Sequence, residues 1–218
     1  MRPRAAGFLH ERRLHAAGLR AVAGVDEVGR GCLAGPVVAG AVILDWSRPI
    51  RGLRDSKLLG AAARERLARQ IASRAAAFAL GVVDPEEIDR TDILRATLEA
   101  MRRAVTALRV RPDFVLVDAL IIPAIGIEQR GLVRGDRISA SIAAASIVSK
   151  FYRDEMMLVF HDLYPAYGFV RHKGYGTREH LEALRRYGPS PWHRSTFRGV
   201  RPDPSASLPF GATAGAVN

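Results

Sequence analysis

Near the start of the chain, two short, unbroken apolar runs frame a pair of acids and a glycine turn, and few folds accommodate that order. Ala21-Val22-Ala23-Gly24-Val25 leads into Asp26-Glu27-Val28-Gly29-Arg30-Gly31, and a second run follows from Pro36 to Leu44. Short apolar runs bounded by turn signals read as buried strands. The segment therefore reads as a strand, a turn and a hairpin-like return. Adjacent residues in a regular strand point to opposite faces. Asp26 and Glu27 are expected to share a site only if the strand ends or bends there, which Gly29 and Gly31 permit. An exposed turn with an incidental acidic pair is the alternative reading.

Charge favours the first reading. The chain carries 33 Lys plus Arg against 22 Asp plus Glu, a net charge of +11. Such a surface suits a polyanion bound through its phosphates. Acids beside a flexible turn would repel that polyanion unless a divalent cation lay between them. Carboxylates, a hard metal and a phosphodiester together make the chemistry of a metal-dependent nuclease. Two more acids fit the pattern. Phe114-Val115-Leu116-Val117 is another apolar run and closes on Asp118; such an acid serves an active site, a turn or a cap. Asp136 opens a stretch of small and apolar residues that reaches Lys150, where it also suits a helix start facing the dipole. The Ser/Ala run reads equally as close helix packing.

In order along the chain, Val25-Asp26-Glu27-Val28-Gly29-Arg30-Gly31 comes with Leu33-Ala34-Gly35-Pro36-Val37-Val38, then Asp55-Ser56-Lys57. The Gly135-Asp136 to Lys150 block with Arg153-Asp154 follows, and then His172-Lys173-Gly174-Tyr175-Gly176-Thr177. This ordered set resembles the signature of the ribonuclease HII family over roughly residues 21 to 200. The resemblance implies an α/β domain of the ribonuclease H-like fold, with a mixed five-stranded sheet flanked by helices and a helical C-terminal part. It implies hydrolysis of the RNA strand of RNA–DNA hybrids and incision at single ribonucleotides embedded in duplex DNA, leaving 5′-phosphate and 3′-hydroxyl ends. Asp26, Glu27, Asp118 and Asp136 would be the catalytic carboxylates, holding two Mg²⁺ or Mn²⁺ ions. The Gly29-Arg30-Gly31 backbone would contact the ribonucleotide and Tyr175 would pack on the following deoxy sugar. Lys57, Lys150, Lys173 and Arg30 would contact phosphates, with Ser146 among the substrate-binding residues. Three departures stand out: Cys32 where the family commonly has Pro, Ala119-Leu120 where it has Gly-Asn, and Asp92 where it tends to have Asn. None removes a carboxylate. Two alternatives stay open. A non-catalytic hybrid-binding protein of this fold would gain nothing from acids facing phosphate. Ribonuclease HIII needs an additional N-terminal substrate-binding domain, for which the twenty or so residues before the first strand are too few.

Only three of the 33 basic residues are lysines, Lys57, Lys150 and Lys173, and all lie in the motifs just named. Lysine is a compact point charge that arginine's planar fork does not reproduce, so these positions mark sites where the fork does not fit, unless compositional drift left them by chance. Cys32 is the single cysteine, which excludes an intrachain disulfide and fits a reducing cytosol; no adjacent histidine equips it as a nucleophile. No apolar run is long enough to span a bilayer, and Met1 to Arg20 does not read as a secretory signal. The expected protein is a cytoplasmic monomer with a helical lead-in at 1–20, one catalytic domain at 21–200 and a disordered tail at 201–218.

The remaining expected elements are helices at Phe8–Ala17, Ala61–Ala77, Ile93–Leu108, Ile138–Leu163 and Thr177–Tyr187. Strands are expected at Phe78–Val83 and Ala124–Ile127, and a helix start capped by Asp84 with Pro85 at its first position. His161-Asp162 reads as an exposed helix end, and His193-Arg194 as a phosphate contact or a surface loop.

Overall fold

A computed structural model describes residues 6–201. Its centre is a hairpin: β1 (Val22–Val28) pairs antiparallel with β2 (Val37–Ile43), with Val25 opposite Ala41. β3 (Ala77–Val83) adds antiparallel to β2, while β4 (Phe114–Asp118) lies parallel to β1 on its other side and β5 (Gln129–Leu132) parallel to β4. The mixed sheet thus has the order β3-β2-β1-β4-β5.

Strand alternation assigns the two faces. Ala23, Val25, Val37, Ala39, Ala41 and Val117 pack against α4 (Ile93–Thr106). Val42 on the opposite face meets α2 (Ala61–Arg74) and α6 (Ala140–Leu163). Small residues let the helices approach closely: a Cβ at Gly24 would collide with the Ser141 backbone of α6, and one at Gly81 with Ala100 of α4. The Ser/Ala run of α6 is therefore a packing surface as well as part of the motif. Between these elements, α3 (Pro85–Arg90) is capped by Asp84, whose carboxylate accepts from Glu87 N at 2.8 Å, with Pro85 at its start.

Beyond α6, a helical C-terminal part comprises α7 (Phe169–His172) and α8 (Arg178–Tyr187). It has its own core around Met157, Phe160, Tyr167, Phe169 and Leu184. At the other end, α1 (Leu9–Ala16) presents the buried carboxylate of Glu11 to the start of α6. There it accepts from Ser139 Oγ (2.6 Å), Ser141 N (2.9 Å) and Ser141 Oγ (2.7 Å). An anionic side chain at a helix N-terminus is favoured by the helix dipole. The expected tail lies outside the described residues, apart from Arg201.

Two expectations need correction. The strand expected at 124–127 forms at Gln129–Leu132 instead, because Ala124 (φ 56°) and Gly126 (φ 62°) break the extended backbone; Ile125 and Ile127 still pack on the core. The helix expected from Ile138 is interrupted. α5 (Gly135–Ile138) ends at extended Ser139, whose side chain then caps α6 by accepting from Ile142 N. Among the described residues no helix is long and apolar enough to cross a membrane.

Candidate active site

The parallel pairing of β1 with β4 builds the acidic cluster. Val25 lies opposite Val117, so Asp26 and Asp118, each one residue further on, emerge level on strands roughly 4.8 Å apart. Alternation turns both toward the α6 face, with Gly24 and Leu116. Gly135 N donates to Asp118 Oδ1 at 2.7 Å, which docks the start of α5 on Asp118 and brings Asp136 beside it. Asp26 and Asp136 are buried, Asp118 half-buried. β1 does not bend at the acids, since Glu27 pairs with Ala39 and Val28 with Val38, and it ends at Val28, directly before the Gly29 turn. Instead Asp26 folds forward along the strand and accepts from Glu27 N at 2.8 Å. Glu27 sits at the end of the strand, where burial raises its carboxyl and the Asp118 charge is near enough to add to this; its Oε1 meets Arg30 Nη1 at 3.3 Å and its buried Oε2 has no hydrogen-bond partner among the described residues.

These acids share one electrostatic field. Burial pushes the Asp26 carboxyl well above its usual range; the charges of Glu27, Asp118 and Asp136 add to this, and the Ser146 hydroxyl opposes it. Burial also raises Asp118, with Gly135 N and Lys57 opposing and Asp55 reinforcing. Asp136 is raised by burial, then by Asp55 and Asp118, against Lys57 and Arg137. Glu27 is raised by burial with Arg30 opposing. Among the described residues no three acidic, histidine or cysteine side chains already converge on one point. The donor set still fits a hard divalent cation, which takes carboxylate oxygens. Such a cation would relieve the mutual repulsion of the acids and satisfy Glu27 Oε2.

The Gly29-Arg30-Gly31 turn, entered at Gly29 with φ 94°, is held from beneath by two fully buried arginines. Arg194 donates to Gly29 O (2.7 Å), Arg30 O (2.9 Å) and Gly35 O (2.9 Å). Arg153 donates to Pro36 O (2.9 Å), Ala34 O (3.1 Å) and Lys173 O (2.9 Å). A trans peptide carries its C=O and the following N–H on opposite sides. With the carbonyls of Gly29 and Arg30 turned inward, the N–H groups of Arg30 and Gly31 face outward, and Gly31 has open space where a side chain would stand. His193-Arg194 is thus neither a phosphate contact nor a surface loop: both side chains are buried, and burial pulls the Arg194 guanidinium down to about 10.

The same scaffold ties this turn to the 172–176 loop. Leu33 N donates to Gly174 O at 2.8 Å, and Cys32 bridges Tyr175. Tyr175 leaves 39% of its surface exposed, with Lys150 Nζ 5.8 Å from its ring centroid. Lys150 Nζ is also 2.6 Å from Asp154 Oδ1, and Arg64 holds the other Asp154 oxygen at 3.2 Å. Lys173 closes α7 at φ 51°, and burial lowers its ammonium pKa. On the acidic side, Lys57 is exposed on a one-turn helix at Ser56–Leu58, where its N–H donates to Asp55 Oδ1 at 2.9 Å. Ser146 Oγ lies 2.9 Å from Ser56 Oγ, buried beneath the acids instead of facing out. All three lysines therefore border the site.

Sequence reasoning passed over Asp55 as a fifth acid and Asp154 as the counter-charge of Lys150, although both lie inside recognised motifs. The departures also find places. Asp92 caps α4 by accepting from Leu94 N and Arg95 N, work that asparagine does as well. Cys32 is buried, and Ala119 adopts φ 54°.

Carboxylates at the level ends of two central parallel strands lie in a β3-β2-β1-β4-β5 sheet flanked by helices, the architecture of the ribonuclease H-like fold. The chain belongs to the ribonuclease HII family, whose sequence profile matches residues 23–200. It is 56% identical over 180 residues to a ribonuclease HII of Nitrosococcus oceani, covering 83% of this chain and 90% of that protein. It is 52% identical over 191 residues to one of Desulfitobacterium hafniense, covering 88% and 74% respectively. Among solved structures it is similar to the ribonuclease H2 from Pyrococcus horikoshii OT3, with TM-score 0.71 and 27% identity over 82% of this chain and 94% of that one.

Proposed function

We propose that this protein is a metal-dependent endoribonuclease. It hydrolyses the RNA strand of RNA–DNA hybrids and incises duplex DNA at single embedded ribonucleotides, leaving 5′-phosphate and 3′-hydroxyl ends. The observation that carries the reading is the level emergence of Asp26 and Asp118 from neighbouring strands, with Asp136 delivered beside them through the Gly135 N–H. Asp26, Glu27, Asp118 and Asp136 would hold Mg²⁺ or Mn²⁺, a pair of which supplies an activated water and charge stabilisation at the leaving 3′-oxygen. Ser146 holds Asp26 toward its charged form from beneath. The outward N–H groups of Arg30 and Gly31 meet the ribonucleotide, whose 2′-hydroxyl is the group that separates RNA from DNA. Tyr175 packs on the next, deoxy, sugar. Lys57, Lys150, Lys173 and Arg30 take phosphates, which set register without reading sequence.

The test is cleavage of a duplex with one embedded ribonucleotide, beside an RNA–DNA hybrid and an all-DNA control, with and without Mn²⁺. Metal-dependent cleavage of the first two alone is expected. Asp118→Asn, which exchanges a carboxylate for a poorer ligand of a hard cation, is expected to bind duplex normally and lose at least about 100-fold in rate. Cleavage of the all-DNA control at a similar rate, or undiminished cleavage by Asp118→Asn, would overturn the reading. Binding without cleavage in the parent would leave the hybrid-binding alternative.

A further inference from the structure

Beneath the Tyr175 loop lie three buried histidines that the proposed chemistry does not use. His193 Nδ1 is 2.9 Å from Ser190 N, His193 Nε2 is 2.9 Å from His180 Nε2, and His180 Nδ1 is 2.9 Å from Tyr175 O. The two ends fix the direction of this chain, because a backbone N–H only donates and a carbonyl only accepts. Ser190 N–H donates to His193 Nδ1; His193 Nε2–H donates to His180 Nε2; His180 Nδ1–H donates to Tyr175 O. His172 stacks on His180 with ring centroids 4.4 Å apart and holds the preceding residue, its Nδ1 accepting from Gly174 N. Every ring nitrogen of His180 and His193 is occupied, with one proton per ring.

We propose that His193 and His180 form a one-directional relay that positions Tyr175 against the substrate sugar, which makes them positioning residues for substrate binding. This rests on the role given to Tyr175 above. The relay grips the backbone of Tyr175 from the buried side, where Tyr175 O also accepts from Thr177 N at 2.8 Å, and leaves the ring partly exposed on the other, beside Lys150. Losing this hold, with the Cys32 bridge and the Tyr175 N–H bond to His172 O still in place, loosens the ring without removing it, so the loss falls on substrate binding and leaves the chemical step at the acids intact.

The experiment measures KM and kcat of the full chain, with Mn²⁺, on a duplex with one embedded ribonucleotide, where a deoxy sugar follows the ribonucleotide, for His180→Leu, His180→Asn and Tyr175→Ala, and for His180→Leu combined with Tyr175→Ala. His180→Leu and Tyr175→Ala are each expected to raise KM about tenfold, in the range of an aromatic stacking contact, with kcat nearly unchanged. His180→Asn, whose amide N–H replaces Nδ1–H, is expected to recover most of that loss. The double variant is expected to be no worse than Tyr175→Ala. In parallel, ¹⁵N NMR of histidine-labelled parent protein is expected to find His180 as the Nδ1–H tautomer and His193 as the Nε2–H tautomer, a readout independent of how any variant folds. Additive KM losses in the double variant, or His180 as the Nε2–H tautomer, would overturn the relay while leaving the nuclease reading intact. A parent protein that does not cleave this duplex would instead overturn the proposed function, and the role of Tyr175 with it.

Discussion

At position 119 an alanine occupies left-handed backbone, φ 54°, directly after the acid that closes β4. That conformation costs a residue with a Cβ roughly 1–2 kcal/mol, and a Gly there would avoid the cost. Glycine also frees the unfolded chain, which returns about 0.4–1 kcal/mol of the gain. Ala119→Gly is therefore expected to stabilise the protein by about 0.5 kcal/mol, read as a higher urea midpoint; an unchanged or lower midpoint would remove the strain argument. The departure was visible in the sequence, but its backbone angle was not, since nothing local announces a left-handed alanine. The lysines argue at the same scale. Lys57 borders Asp118 and Asp136, and Lys173 sits in a constrained loop with φ 51°. A guanidinium is larger and wants a two-pronged acceptor. Lys57→Arg and Lys173→Arg are expected to slow cleavage several-fold or weaken substrate binding without lowering Tm. Arg69→Lys, at an exposed pair with Glu65, is expected to change neither. Parent-like kinetics in both Lys→Arg variants would mean that lysine scarcity marks nothing.

Elements were legible wherever one periodicity ran unbroken. β1, β2, β4 and α4 announce themselves by apolar runs or a clear amphipathic face, and Asp84-Pro85 announces α3. What escaped were features made by distant partners. Ser139 breaks a helix-compatible run because Glu11, far off in the chain, holds its hydroxyl, and the histidine relay joins α8 to the loop before Arg194. Burial draws His180 and His193 down to about 4, against about 6.5 in an unfolded chain. The unfolded state therefore binds more protons across that window. The contribution of these histidines is whole above about pH 6.5 and is lost as pH falls toward 4, on the order of 3 kcal/mol for each. The raised carboxyls of the acidic cluster work in the opposite sense, because the fold takes up protons there before the unfolded chain does. Comparing proteins that differ at one histidine separates the two. Between pH 7.5 and 5, the urea midpoint of the parent is expected to fall more steeply than that of His180→Asn; parallel lines would count against the buried histidine as a source of acid lability.

For the molecule as a whole, composition points to the kind of partner, while the ordered motifs point to where it would bind. A charge of +11 says polyanion but names no face, and three acids at strand ends with a fourth on α5 say little about which of thirty arginines touch phosphate. Geometry narrows that choice by putting the three lysines and Arg30 around the acids and Tyr175, and by withdrawing Arg153 and Arg194 into the scaffold beneath the turn. The consequence is quantitative. Each phosphate neutralised on a duplex contributes about −0.9 to the slope of log K against log salt, so four surface cations would give about −3.6. Arg30 and Lys150 already hold Glu27 and Asp154, and opening those pairs reduces their share. For uncleavable duplex and metal-free protein, a slope between about −2 and −4 is expected from titrations at increasing salt. Lys57→Gln is expected to make it shallower by about 1, because exposed Lys57 has no ion-pair partner among the described residues. Affinity that stays flat from low to moderate salt, or a slope that Lys57→Gln leaves unchanged, would mean that the basic surface serves another partner and that Lys57 does not reach phosphate.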